Sequence, residues 1–226
     1  MKIRRFPLLG GATAVAALAA AVPALAGSPA VSVRVEGVNR TLLPATVVHG
    51  DAGPVTKGGT PAGTCPGSSG AGDLDAATHH HWAGTYSTGL GIEIEAILGE
   101  THKYSPHGYY WGIWVNSRFA SAGICDLKLH AGDQLLFAPV PAKGSTYPIV
   151  LSAPGRATAG RAFTVKASYF GAKGAAKPLS GVTITGAGVT NAQGVATVTA
   201  PEAGKLKLVA SRKGDIRAEA TVAVSG

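Results

Sequence analysis

After residue 26 the sequence has no hydrophobic run approaching the ~18 residues needed to cross a bilayer. It also has no run of Lys and Arg long enough to form a nucleic-acid patch. Aromatic residues make up only 6% of the chain, and cysteine is limited to Cys65 and Cys125. No Gly-x-Ser-x-Gly elbow, His-Glu-x-x-His helix or phosphate-cradling glycine loop is present. These absences argue against a second membrane span, a nucleic-acid binder and the common hydrolase and nucleotide-binding classes. The expected protein is not an enzyme and has no cofactor.

What is present at the N-terminus is an export signal. Met1-Lys2-Ile3-Arg4-Arg5 places three basic residues in the first five, and an apolar stretch follows from Leu8 to Val22. It ends at Pro23-Ala24-Leu25-Ala26, whose Ala-x-Ala pattern suits cleavage after Ala26. A membrane anchor is the alternative, but Pro23 interrupts the run and leaves it shorter than a span. Arg4-Arg5 also fits the twin-arginine route, although Pro7 stands where that pattern carries a large apolar residue. The general secretory route is the simpler expectation. Loss of residues 1–26 removes Lys2, Arg4 and Arg5 and lowers the formal charge from +8 to +5. The remaining basic residues are scattered, as on a solvated surface.

Export changes the meaning of the two cysteines. An even count in an oxidising compartment favours a disulfide, with two buried thiols or half of a metal site as alternatives. Sixty positions separate them, unlike the close pairs of structural zinc sites. A bond would fasten residues 50–72, a Gly-, Pro- and Ser-rich stretch unable to build its own core. The C-terminus reads as a last strand without anchor or sorting signal, so the expected product is secreted or loosely envelope-associated.

Two segments with different patterns follow, residues 27–140 and 147–226, joined by a linker over 141–146. In the first, Val31–Glu36 alternates apolar and polar residues and predicts a half-buried strand; Arg40–Val48, Ile92–Leu98 and Tyr109–Val115 predict others. Gly132–Ala138 predicts the last strand, broken by Pro139 and Pro141. The one expected helix starts near Asp73, which can cap, and continues through Ala76-Ala77. The second segment shows short strands over 149–152, 161–169, 182–185, 195–199, 205–210 and 216–224, separated by turns such as Asn191-Ala192-Gln193-Gly194. With no helical period, that spacing predicts a β-sandwich. The fold class is therefore mainly β, with one short helix.

Both segments carry resemblances. Leu74-Asp75-Ala76-Ala77, Trp82-Ala83-Gly84-Thr85, Ile97-Leu98-Gly99-Glu100, Tyr110-Trp111-Gly112-Ile113-Trp114-Val115-Asn116 and Gly132-Asp133-Gln134-Leu135-Leu136-Phe137 lie in the first. That segment resembles the domain-of-unknown-function family related to the C-terminal β-domain of transcobalamin and intrinsic factor. The resemblance implies a β-grasp-like fold and, in similar members, pairing of the two cysteines. It also raises corrinoid binding; but in transcobalamin the ligand lies between an α-barrel and the β-domain, and a lone β-domain offers half of such a site. In the second segment, Pro178–Ile184, Thr190–Val198 and Gly204–Ala210 resemble bacterial immunoglobulin-like or prealbumin-like domains, which imply a spacer or adhesive module.

Two local groups are candidate sites. His79-His80-His81 contains metal-ligand chemistry, and strand alternation puts His79 and His81 on one face as the secondary metal candidates. His49, His102, His107 and His130 are further histidines that could join them. Adjacent histidines cannot all converge on one ion, so no metal is expected. If any surface binds, it is the aromatic group around Trp82, Tyr110, Trp111 and Trp114, because Trp and Tyr dominate binding hot spots. Packing of both strand faces into a core is the leading reading of those rings, and an exposed aromatic platform is the alternative. The expected function is a secreted, non-enzymatic binding or adhesion protein contacting an extracellular protein, glycan or small ligand. The alternative is a carrier of a corrinoid or metal.

Overall fold

A computed structural model describes residues 28–51, 53–59, 63–87, 91–106, 108–171 and 174–226. The expected signal peptide and the cleavage position at Ala26 lie outside the described residues. No helix among the described residues is long and apolar enough to cross a membrane.

In the first segment the strands are β1 (Ala30–Glu36), β2 (Thr41–His49), β3 (Val55–Thr56) and β4 (Thr64–Cys65). Helix α1 (Gly70–Ala77) follows, then β5 (Trp82–Ser87), β6 (Gly91–Ile97), β7 (Glu100–Thr101), β8 (Tyr109–Val115), β9 (Arg118–Phe119) and β10 (Gln134–Pro141). The main sheet has the order β2-β1-β10-β8-β9, with β1 and β10 parallel at its centre and the outer pairs antiparallel. Alternation in β1 sends Val31, Val33 and Val35 into a core shared with Leu74 of α1, Ile94 and Ile97 of β6, and Phe137 of β10. A smaller sheet, β5-β6-β7, and the β3-β4 pair complete this half.

Two details differ from the sequence expectation. Strand β10 runs through Pro139 and Pro141, which pair with Trp111 and Tyr109 of β8. The parallel pairing of β10 with β1 ends at Phe137, so beyond it the strand has one bare side and a missing N–H costs no ladder bond there. Helix α1 starts at Gly70 rather than near Asp73, with Ser69 as its N-cap residue. Its first N–H groups, on Gly70 and Ala71, donate to the carbonyls of Leu127 and Ile124 at 3.2 Å each. Tertiary partners thus satisfy orphan donors that a side-chain cap would otherwise take. Gly72 is required by closeness: a Cβ there would collide with the Gly67 backbone.

The second segment comprises β11 (Val150–Ser152), β12 (Arg156–Thr158), β13 (Ala162–Phe170), β14 (Ala176–Pro178) and β15 (Thr183–Ile184). It continues with β16 (Gly188–Val189), β17 (Val195–Thr199), β18 (Gly204–Ser211) and β19 (Ala218–Ser225). One sheet is β11-β13-β14 with β17 also on β13, and the other is β12-β19-β18-β15-β16. Val165, Ala167 and Val198 from the first meet Ile184, Leu208, Ala210 and Val222 from the second in a common core.

The two halves are joined by more than the linker. The main sheet's second face carries Trp114, Ala138 and Val140, and these pack with Ile216 of the second half. Glu36, which alternation in β1 would leave facing solvent, is 1% exposed because the second half covers it. Arg118 of β9 adds a cation–π contact, 4.3 Å above the Phe170 ring.

Candidate functional site

Two places concentrate polar side chains. The first lies at the C-terminal end of α1. Thr78 closes the helix through its hydroxyl, which donates to the Leu74 carbonyl at 2.7 Å. His79 and His80 then adopt left-handed backbone, with φ of 50° and 67°. This reverses the chain, so His80 Nδ1 sits 2.5 Å from Asp75 Oδ2 and Trp82 Nε1 donates to Asp75 Oδ1 at 2.6 Å. Lys57 reaches over from the glycine-rich loop, with Nζ 3.3 Å from Asp75 Oδ1 and 5.2 Å from the Trp82 ring centroid.

The ligating atoms of Asp51, Asp75 and His80 all lie within 4.8 Å of one another. Alternation had selected His79 and His81 as the secondary metal candidates, and the structure does not bring them together. A strand pattern fails where the backbone turns left-handed; His79 is exposed, and His81 Nδ1 is 3.1 Å from the Thr78 carbonyl. The other histidines are engaged elsewhere: His49 at the Ser28 carbonyl, His102 at Glu100 and His130 at Asp133. His107 lies outside the described residues. Lys57 argues against a cation in the cluster, because a metal ion would have to displace an ammonium already at Asp75.

The three aspartates are held in different states. Burial raises the Asp73 carboxyl to about 6, with the charge of Asp51 adding to the rise and His49 opposing it. Burial also raises Asp51, helped by its contact with Asp75. Asp75 is pushed up by burial, but the His80 and Trp82 hydrogen bonds and the Lys57 charge outweigh it, leaving it below the ordinary range. Because the folded pKa of Asp73 exceeds its ordinary 3.8, the folded chain binds the extra proton between those values. The ionised Asp73 therefore costs stability at neutral pH, and that cost disappears as the pH falls through about 6 toward 4. Asp75 acts in the opposite sense and ends the gain below the ordinary carboxylate range. Asp73→Asn should be more stable than wild type by about 1–3 kcal/mol at neutral pH, and should flatten the rise in melting temperature on mild acidification. Thermal melts of both proteins across that range check this, and parallel pH curves would sink it.

No family model, curated protein or solved structure matches the chain.

The second place is the junction between the halves. The Glu36 carboxylate accepts from Arg217 Nε at 3.0 Å, Arg217 Nη2 at 2.7 Å, Thr41 Oγ1 at 2.9 Å and Arg34 Nη2. Arg217 also donates to the carbonyls of Gly37 at 2.9 Å and Val38 at 3.3 Å. The Glu100 carboxylate, itself beside His102, takes the Val38 N–H at 2.8 Å and fixes the turn after β1. Beside this clamp opens a cavity of about 200 Å³, walled by Val38, Tyr109, Pro139, Pro141, Asp215 and Arg217 among others.

The aromatic residues divide around this junction. Trp82, Trp111 and Trp114 are 5%, 6% and 2% exposed and belong to the packed interior, so no tryptophan platform faces solvent; Tyr110 is half-buried. The reason is that both faces of β8 are covered. Trp111 points to the first core, and Trp114 packs with Ile216 from the second half. The exposed rings are others: Tyr104 at 63%, Phe119 at 56%, Tyr109 at 43% and Tyr86 at 37%. The burial of the three tryptophans is the core packing that was the leading reading of these rings. Nothing in the local pattern distinguishes Tyr109 from Trp111, since the two share a face and differ in how far the core extends.

Proposed function

We propose that this chain is an exported, non-enzymatic binding protein whose ligand site is the cavity at the junction of its two halves. The observation that carries the reading is that cavity, braced by the Glu36–Arg217 clamp and rimmed by the exposed ring of Tyr109. A cleft between two fixed bodies is a common place for a ligand, and an aromatic ring at its mouth supplies contact area with little loss of side-chain freedom. The N-terminal signal and the disulfide-distance pair Cys65–Cys125 agree with an oxidising, extracellular setting.

The sheet order β2-β1-β10-β8-β9, with a parallel central pair and a helix in the connection, supports the β-grasp-like resemblance of residues 27–140. Two sheets around one core support the immunoglobulin-like resemblance of residues 147–226. The second half, on this reading, positions the first and lends its turn at Gly214–Arg217 to the cavity wall. The alternative of a small-ligand carrier divides into a corrinoid, which rests on the transcobalamin resemblance, and a metal, which rests on Asp51, Asp75 and His80.

Trp114 lies in the junction cluster and reports on it, so tryptophan emission tests the proposal. Titration with oligosaccharides, cobinamide, zinc and copper should give a saturable change with a ligand of the junction. A metal response abolished by His80→Ala would favour the carrier alternative. A flat signal across the panel, confirmed by calorimetry, would overturn the binding reading.

A further inference from the structure

The charges of the junction cavity restrict what it can hold. Two carboxylates stand in its wall, and both are matched: Glu36 by Arg34 and Arg217, and Asp215 by Arg212 Nε at 2.5 Å. Arg217 in turn directs donors at Glu36, Gly37 and Val38. A cationic ligand would meet no uncommitted carboxylate, and an anionic one would meet an Arg217 guanidinium whose N–H groups already point at Glu36, Gly37 and Val38. Either would lose hydration without finding a free charged partner to hydrogen-bond, which is unfavourable. A neutral ligand escapes that cost.

We infer that the cavity seats one ring of a neutral saccharide, an inference that rests on the binding reading above. Val38, Pro139, Pro141 and the Tyr109 ring offer apolar surface, while Thr146 and the backbone around Gly214 offer hydrogen-bonding groups. A pyranose has the matching character, with C–H groups on its faces and hydroxyls around its rim. A wholly apolar ligand would leave the polar part of the wall unpaired. Size agrees: an apolar cavity of about 150 Å³ accepts benzene, and this one is about 200 Å³. That is room for one substituted six-membered ring. Tyr109 stands at the mouth, half in solvent, where a ring can stack on it.

The test titrates the full chain, by calorimetry, with neutral cello-, chito- and malto-oligosaccharides, a sialylated trisaccharide and a proline-rich peptide. Three variants accompany it: Tyr109→Ala, Tyr109→Phe and Thr146→Trp, the last to fill the cavity. Thermal melts establish that each is folded. Saturable binding of a neutral oligosaccharide is expected, weakened about tenfold or more in Tyr109→Ala, kept within about threefold in Tyr109→Phe, and lost in Thr146→Trp. The sialylated sugar should bind no better than a neutral one. Neutral-sugar binding that is unchanged in Tyr109→Ala and Thr146→Trp overturns the site. Preference for the acidic sugar or the peptide, lost in the same variants, overturns the saccharide inference and leaves the junction as a binding site. Silence across the panel overturns both.

Discussion

Glu36→Ala is expected to destabilise the chain by about 3–5 kcal/mol, the largest effect of any single substitution considered for this fold. The carboxylate is nearly inaccessible, and two guanidinium groups and a hydroxyl converge on it. Removing it leaves Arg34 and Arg217 partly buried, close together and without an anion. The loss is therefore mainly the cost of stranded charge rather than of a missing attraction. Surface pairs such as Lys207–Glu219 and Lys103–Glu95, whose lysines are 59% and 64% exposed, should cost no more than about 1 kcal/mol when broken. A second variant separates the two contributions. Replacing Glu36, Arg34 and Arg217 together with Leu or Met should recover much of the loss, since a well-packed apolar junction can equal a buried ion cluster.

Coupling between the halves is the further readout. All three tryptophans lie between residues 82 and 114, so emission follows the first half, while circular dichroism follows both. Wild type should give coincident urea transitions by the two probes, and Glu36→Ala should separate them. A loss below about 1 kcal/mol with coincident transitions would falsify the clamp.

The same residue shows why only part of the fold was legible. Alternation is a local signal, and it located β1 and β18 to within a residue because one face of each meets a core, while aromatic content located β8. It cannot report what covers the other face. Glu36 looked like an exposed strand residue because its partner Arg217 is 181 positions away. What covers Trp114 was equally hidden, because Ile216 is 102 positions away. Pro139 read as a strand breaker because its tolerance depends on β1 having ended beside Phe137. The metal candidates failed for a local reason: His79 and His80 carry positive φ, a conformation that nothing in a triple histidine announces. His80 was nevertheless reachable, since Asp75 precedes it by five residues and a helix end brings such a pair close.

Replacing both Cys65 and Cys125 with Ala should cost about 4 kcal/mol, the chain-entropy value for a loop of this length. Their Cα atoms are 4.8 Å apart, at a sequence separation of 60. Cys65 is fully buried on β4, which pairs with β3 through Val55. Cys125 follows Ile124, whose carbonyl takes the Ala71 N–H at the start of α1. The pair therefore fixes the β3–β4 loop to the segment that caps the helix. Lys57 arrives at Asp75 from that loop and Asp51 from the chain leading into β3, whereas His80 and Trp82 are tied to Asp75 by the turn after α1. Loss of the link should free the first pair and leave the second in place. Two results separate this account from a general loss of packing. The tryptophan-detected transition of the first half should move to lower urea while the second half keeps its own midpoint. The mildly acidic gain in stability should also shrink, because Asp51 no longer adds to the raised pKa of Asp73. A double variant that lost stability but kept the full acidic gain would show that Asp51 is held beside Asp73 by the chain between β2 and β3, and not by the cysteines.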